Sequence, residues 1–98
     1  MRYCIPMSQN DHIGDHERVL KALANKRRLT VLRVLKKSKE ATVGTIAAEI
    51  KLSFKSTSRH LALLLNASIV EREQRSLEAY YRISGSLPRY VREVLSNI

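Results

Sequence analysis

The stretch from Thr42 to Ile83 constrains this chain more than any other. Val43, Ile46, Ala47 and Ile50 recur at i, i+3, i+4 and i+7, the spacing of one helical face. Lys51-Leu52 interrupts the pattern. Ser53 can cap a following helix to about Ala67, with Thr57, Leu61, Leu64 and Leu65 facing inward. From Ile69 the apolar period changes to two, and Ile69–Glu73 and Glu78–Ile83 read as strands around a turn near Gln74–Leu77. That turn has no Gly or Asn, so a longer basic loop is expected rather than a tight two-residue connection. The second helix opens with Ser53-Phe54-Lys55-Ser56-Thr57-Ser58-Arg59-His60-Leu61. A short helix, a tight turn and a helix starting with small polar and basic side chains suit the major groove of DNA.

The flanking sequence builds a scaffold around this unit. Residues 1–10 lack periodicity and contain Pro6, and they read as a flexible N-terminal arm, leaving 11–98 as one folded domain. A first helix should start between Asn10 and Asp15 and carry Val19, Leu20 and Leu23 on one face. Asn25 can cap a second helix to about Lys37, largely buried through Leu29, Val31, Leu32, Val34 and Leu35. Lys36, Lys37 and Lys39 complement the dipole at its end. Thr42 can cap the third helix. Ser86 can cap a last helix with Pro88 in its first turn. Tyr90, Val91, Val94, Leu95 and Ile98 form an apolar stripe on that helix. Its neighbours in sequence are strands, so a partner subunit is the expected cover, with Val19 and Leu20 of the first helix joining the interface. The fold class expected is mainly α, about five helices plus a two-stranded antiparallel wing.

Charge points to a polyanion. Eighteen Lys and Arg face nine Asp and Glu, a formal charge of +9, which favours phosphate through counterion release. The basic clusters at 51–59 and 72–75 lie where the proposed unit would meet DNA. Five aromatic residues among 98 are too few for the stacking platforms that single strands require. One cysteine excludes an intramolecular disulfide and a four-thiolate zinc site. No apolar run approaches the ~20 residues that span a bilayer. There is no Gly-rich phosphate loop and no nucleophile–base–acid set. The expectation is a cytoplasmic protein that is not an enzyme and carries no cofactor.

The residues resemble the ArsR (arsenic-repressor) family of winged helix-turn-helix regulators over about His16 to Ile83. The resemblance starts at Leu20-Lys21-Ala22-Leu23-Ala24-Asn25-Lys26-Arg27-Arg28-Leu29. It continues through Ile46-Ala47, Leu52-Ser53, Ser58-Arg59-His60-Leu61 and Ile69-Val70, and ends at Tyr80-Tyr81-Arg82-Ile83. It implies a symmetric homodimer built mainly from the first and last helices. It also implies double-stranded operator DNA bound by two copies of the fourth helix about one helical turn apart, and repression by promoter occlusion. The family's thiolate pair at the start of the third helix falls on Thr42 and Gly44, which supply no ligand. Its site on the last helix needs Asp and His, and residues 86–98 contain neither. Two family glycines are replaced by Lys51 and Ser68, where a positive φ would cost on the order of 1 kcal/mol.

Lys55, Ser56, Ser58 and Arg59 are the base-reading candidates, since Arg and Lys reach guanine's major-groove acceptors. Ser53 and Ser56 suit phosphate oxygens near a helix N-terminus. His60 reads as a packing residue or a phosphate contact, and Thr57 as a core position whose hydroxyl can bond back to the helix. Arg72, Gln74 and Arg75 are wing candidates, against charge balance with Glu71, Glu73 and Glu78. Cys4, His12 and His16 form one residual metal or thiol constellation, with Asp11 and Asp15 nearby. A metal- or thiol-responsive repressor, a winged-helix protein-interaction module and a regulator without an effector are the alternatives.

Overall fold

Val31, Leu32 and Leu35 of α2 (Lys26–Ser38) are buried essentially completely, and the rest of the molecule is arranged around them. The computed structural model describes the chain from residue 6, and side chains from residue 12. Around α2 lie α1 (Pro6–Leu23), β1 (Ala41–Thr42), α3 (Val43–Ile50), α4 (Phe54–Asn66), β2 (Val70–Arg75), β3 (Glu78–Ile83) and α5 (Arg89–Ser96). Ile46, Leu61, Leu64, Ile69 and Val91 complete the fully buried centre. The apolar positions read from the helical period therefore meet in one core.

Three of the expected caps form. The Asn25 side chain accepts from the amides of Arg27 and Arg28 at 3.0 and 3.1 Å. Thr42 accepts from Thr45 N at 3.3 Å, and Ser53 from Ser56 N at 3.0 Å. Each satisfies amides that a helix start leaves without partners. The expected Ser86 cap does not form. Pro88 holds the cap position of α5 without a side-chain bond, and its carbonyl accepts from Val91 N and Arg92 N. Proline's fixed φ suits that entry.

Four further expectations are corrected. Helix α1 begins at Pro6, ahead of Asn10–Asp15, and takes in part of the expected arm. The hairpin is tight: Arg75 pairs with Glu78, leaving Ser76-Leu77 as a two-residue loop. Ser76 supplies the positive φ (56°) that such loops require, without glycine. The sheet has three strands in the order β1-β3-β2, because Ala41 and Thr42 pair with Tyr81 and Tyr80. Leu65, expected inside, is 37% exposed.

Lys51 and Ser68 do adopt positive φ, 57° and 61°, at the ends of α3 and α4. Both helices thus close in the left-handed conformation that glycine would adopt with least strain. Lys51 N bonds back to Ala47 O, and Leu52 N to the same carbonyl at 3.0 Å.

Candidate nucleic-acid interface

Helix α4 presents two faces of opposite character. Thr57, Leu61 and Leu64 are fully buried against the core. Phe54, Lys55, Ser58, Arg59 and Ala62 line a shallow open depression on the outward side. Lys55 and Arg59 pair with no carboxylate among the described residues, so their charge faces outward uncompensated. Ser58 is half-buried between them. Ser53 and Ser56 lie at the helix start, where Ser53 Oγ is occupied by the Ser56 amide. An exposed helix bearing unpaired cations and small polar groups can lie in the major groove and offer donors to base edges.

Two elements, α1 and α2, hold this helix in place from behind. Arg28 of α2 donates from Nε to Ala22 O at 2.7 Å and from Nη2 to Lys21 O at 3.3 Å, satisfying carbonyls in the last turn of α1. Its Nη1 lies 3.3 Å from His60 Nδ1. A guanidinium only donates, so His60 Nδ1 is the unprotonated acceptor. Burial, then the charges of Arg28 and Arg27, push the His60 imidazole below its ordinary pKa. Through this contact His60 ties α4 to the junction of α1 and α2. The Thr57 hydroxyl makes no back-bond to the helix. Its Oγ1 is buried with no hydrogen-bond partner among the described residues.

The wing divides its charges by face. Strand alternation puts Val70, Arg72 and Gln74 on the side of Tyr81 and Ile83, and Glu71, Glu73 and Arg75 on the other. On the second side Arg75 grips Glu40 with two bonds of 2.7 and 2.9 Å, bonds Glu73 at 3.0 Å and stacks 4.6 Å above the Tyr80 ring. Arg82 bridges Glu71 and Glu73 at 3.2 and 3.0 Å. The Arg75 guanidinium holds the Glu40 carboxyl below the usual carboxylate range, and Arg75 with Arg82 does the same for Glu73. Arg75 is therefore occupied within the chain. Among the described residues Arg72 bonds only the neutral Gln74 side chain, at 2.9 Å, so its charge is uncompensated there. Glu40 had no assigned role in the sequence, because it lies 35 residues from Arg75.

The stripe of α5 is split. Val91 and Leu95 are buried in the chain's own core, and Lys36 Nζ donates to Leu95 O at 2.8 Å. Those two residues do not await a partner, contrary to the expectation. Helix α2 is the cover that the neighbouring strands could not be. Tyr90, Val94 and Ile98 stay half-buried. On α1, residues 12–18 are all exposed, Val19 is half-buried, and Ile13 and Leu20 are 66% and 51% exposed. His16 Nδ1 lies 2.6 Å from the Tyr90 hydroxyl, joining α1 to α5. Of the metal constellation, Cys4 and the Asp11 side chain lie outside the described residues, and His16 is engaged by Tyr90. Among the described residues no three His, Cys, Asp or Glu converge on a metal position. No described helix is long and apolar enough to cross a membrane.

A helix-turn-helix with an unpaired cationic outer face, followed by a hairpin, defines a winged-helix DNA-binding transcription regulator. The chain belongs to the arsR family of bacterial regulatory proteins, whose pattern matches residues 25–72. It is 31% identical over 80 residues to the transcriptional activator HlyU of Vibrio cholerae, covering 82% of this chain and 73% of that protein. It is similar to the solution structure of a homodimeric winged helix-turn-helix DNA-binding domain from Mycobacterium bovis, a possible ArsR-family regulator. That match has 30% identity and a TM-score of 0.79, over 91% of this chain and 79% of the other. The crystal structure of the transcriptional repressor PagR of Bacillus anthracis matches at 26% identity and a TM-score of 0.75, over 90% of this chain and 97% of the other.

Proposed function

We propose that the protein is a cytoplasmic, non-catalytic homodimer that binds double-stranded operator DNA and represses transcription by occluding a promoter. Lys55, Ser56, Ser58 and Arg59 read base edges in the major groove, and Ser53 with the first amides of α4 contacts phosphate. Arg72 and Gln74 reach flanking DNA from the free face of the wing, while Arg75 orients the wing rather than touching DNA. Val19, Leu20, Tyr90, Val94 and Ile98 supply the dimer contacts. The observation that carries this reading is the outward face of α4, which is cationic, unpaired and fixed from behind by Arg28 and His60. The homodimeric DNA-binding domain from Mycobacterium bovis supports the assembly.

The test is selection of duplexes from a random pool at low salt and at ~200 mM, where binding through phosphates alone falls steeply. A palindromic sequence surviving the higher salt is expected. Enrichment of nothing above the pool overturns the reading. With the selected duplex, Arg59→Ala is expected to lose ~1–3 kcal/mol and to relax preference at one base pair. Equal weakening on all sequences would make Arg59 a phosphate contact. A promoter reporter fixes the sign, because the Vibrio relative is named an activator and PagR a repressor.

A further inference from the structure

Phe54 stands on the wrong side of the usual bargain for a large apolar residue. It opens the recognition helix yet is 63% exposed. Thr57, Leu61 and Leu64 point the helix into the core, and Phe54 sits at the shoulder of that stripe, in the first turn. It aligns at i, i+4 and i+8 with Ser58 and Ala62, so the three form one line along the helix. Lys55 and Arg59 run beside that line, one residue on. The small side chains of Ser58 and Ala62 leave the open depression beyond the phenyl ring.

The two flanking cations select a polyanion as occupant over an apolar protein surface, which would have to desolvate both. In the major groove, the apolar group presented at base edges is the thymine C5-methyl, and Phe and Ala are side chains that pack against it. We propose that Phe54 reads the methyl of one thymine per half-site, beside the bases addressed by Lys55 and Arg59, with the small Ser58 and Ala62 leaving room for the base edge. This rests on the operator-binding reading above and adds a base identity to it.

The probe is the duplex recovered by selection with the full-length protein, remade with deoxyuridine replacing each thymidine in turn. Uracil keeps every hydrogen-bonding group and lacks only the methyl. At one thymine per half-site, the wild type is expected to bind about fourfold more weakly, the worth of one buried carbon. Changing both half-sites should weaken it about 15-fold. Phe54→Ala should bind the thymine and uracil duplexes equally, and Phe54→Leu should keep part of the difference. Phe54 is exposed, so the variants should fold, and their melting curves report it. Uracil tolerance at every position overturns the proposal. So does a wild-type-sized uracil effect in Phe54→Ala. If Phe54→Ala weakens both duplexes together while the wild type ignores uracil, the ring packs on backbone or wedges between bases, and the assignment fails. Failure to recover any duplex would instead remove the operator-binding reading on which it rests.

Discussion

At the scale of single residues, two side chains of α4 carry consequences that can be measured. Thr57 is fully buried with an unpartnered hydroxyl, and a buried polar group without a partner keeps its full desolvation cost. Thr57→Val, which replaces that hydroxyl with a methyl, should stabilise the protein by about 1 kcal/mol. A raised urea midpoint with unchanged slope is the expected observation, and a lowered one would mean that the hydroxyl has a partner in solution. His60 carries a pH dependence of definite sign. Its pKa in the folded chain lies below the ordinary value of about 6.5, so the unfolded chain binds the proton more readily. Its contribution is complete above that ordinary value and is lost as pH falls through the lower, folded one. Stability should therefore begin to drop as pH falls through about 6.5 and go on dropping until the folded imidazole is protonated. His60→Asn, which offers Arg28 an uncharged acceptor, should drop less. His12 and His16 are common to both proteins, so the difference between the two urea midpoints isolates His60.

At the scale of elements, strain is concentrated where helices end. Lys51 and Ser68 hold positive φ with a Cβ in the way. Lys51→Gly and Ser68→Gly should each stabilise by ~0.5–1 kcal/mol, the steric relief less the added freedom of the unfolded chain. Thermal melting reads this, and no gain at either site would mean that the side chain contributes contacts worth as much as the strain. These same ends show what a sequence carries. Helices α2, α3 and α4 were legible, because their apolar residues recur at helical spacing and Asn25, Thr42 and Ser53 announce their starts. The tight turn was not, because Ser76 takes a conformation that composition assigns to Gly or Asn. The two-residue β1 is too short to show a period, and only pairing to Tyr80 and Tyr81 makes it a strand. The major-groove candidates were legible as a polar helix face. The assignment of Arg75 to Glu40 was not, because the two meet only after folding. Phe54 escaped because it sits where the core stripe would run, one turn before the core begins.

At the scale of the molecule, Ile13 and Leu20 on α1 are exposed and Tyr90, Val94 and Ile98 of α5 half-buried, the apolar surface that the proposed dimer would cover. Leu20→Glu should leave the fold intact, since Leu20 is outside the core, yet place a charge within the proposed dimer face. Sedimentation should then report monomers. Affinity for the selected duplex should fall on the order of 100-fold, because two linked heads bind far better than independent ones. A dimer that survives this change would place the interface elsewhere. Arg28 has a further consequence at this scale. By bonding the end of α1 with one edge and His60 with another, it ties the helix proposed to meet the second copy to the helix proposed to meet DNA. In the proposed dimer that tie sets the gap between the two recognition helices. One extra base pair between half-sites turns the far one by roughly a tenth of a turn about the duplex. Such a protein measures its site as well as reading it, and the length of the spacer is as much a part of the address as the letters at either end.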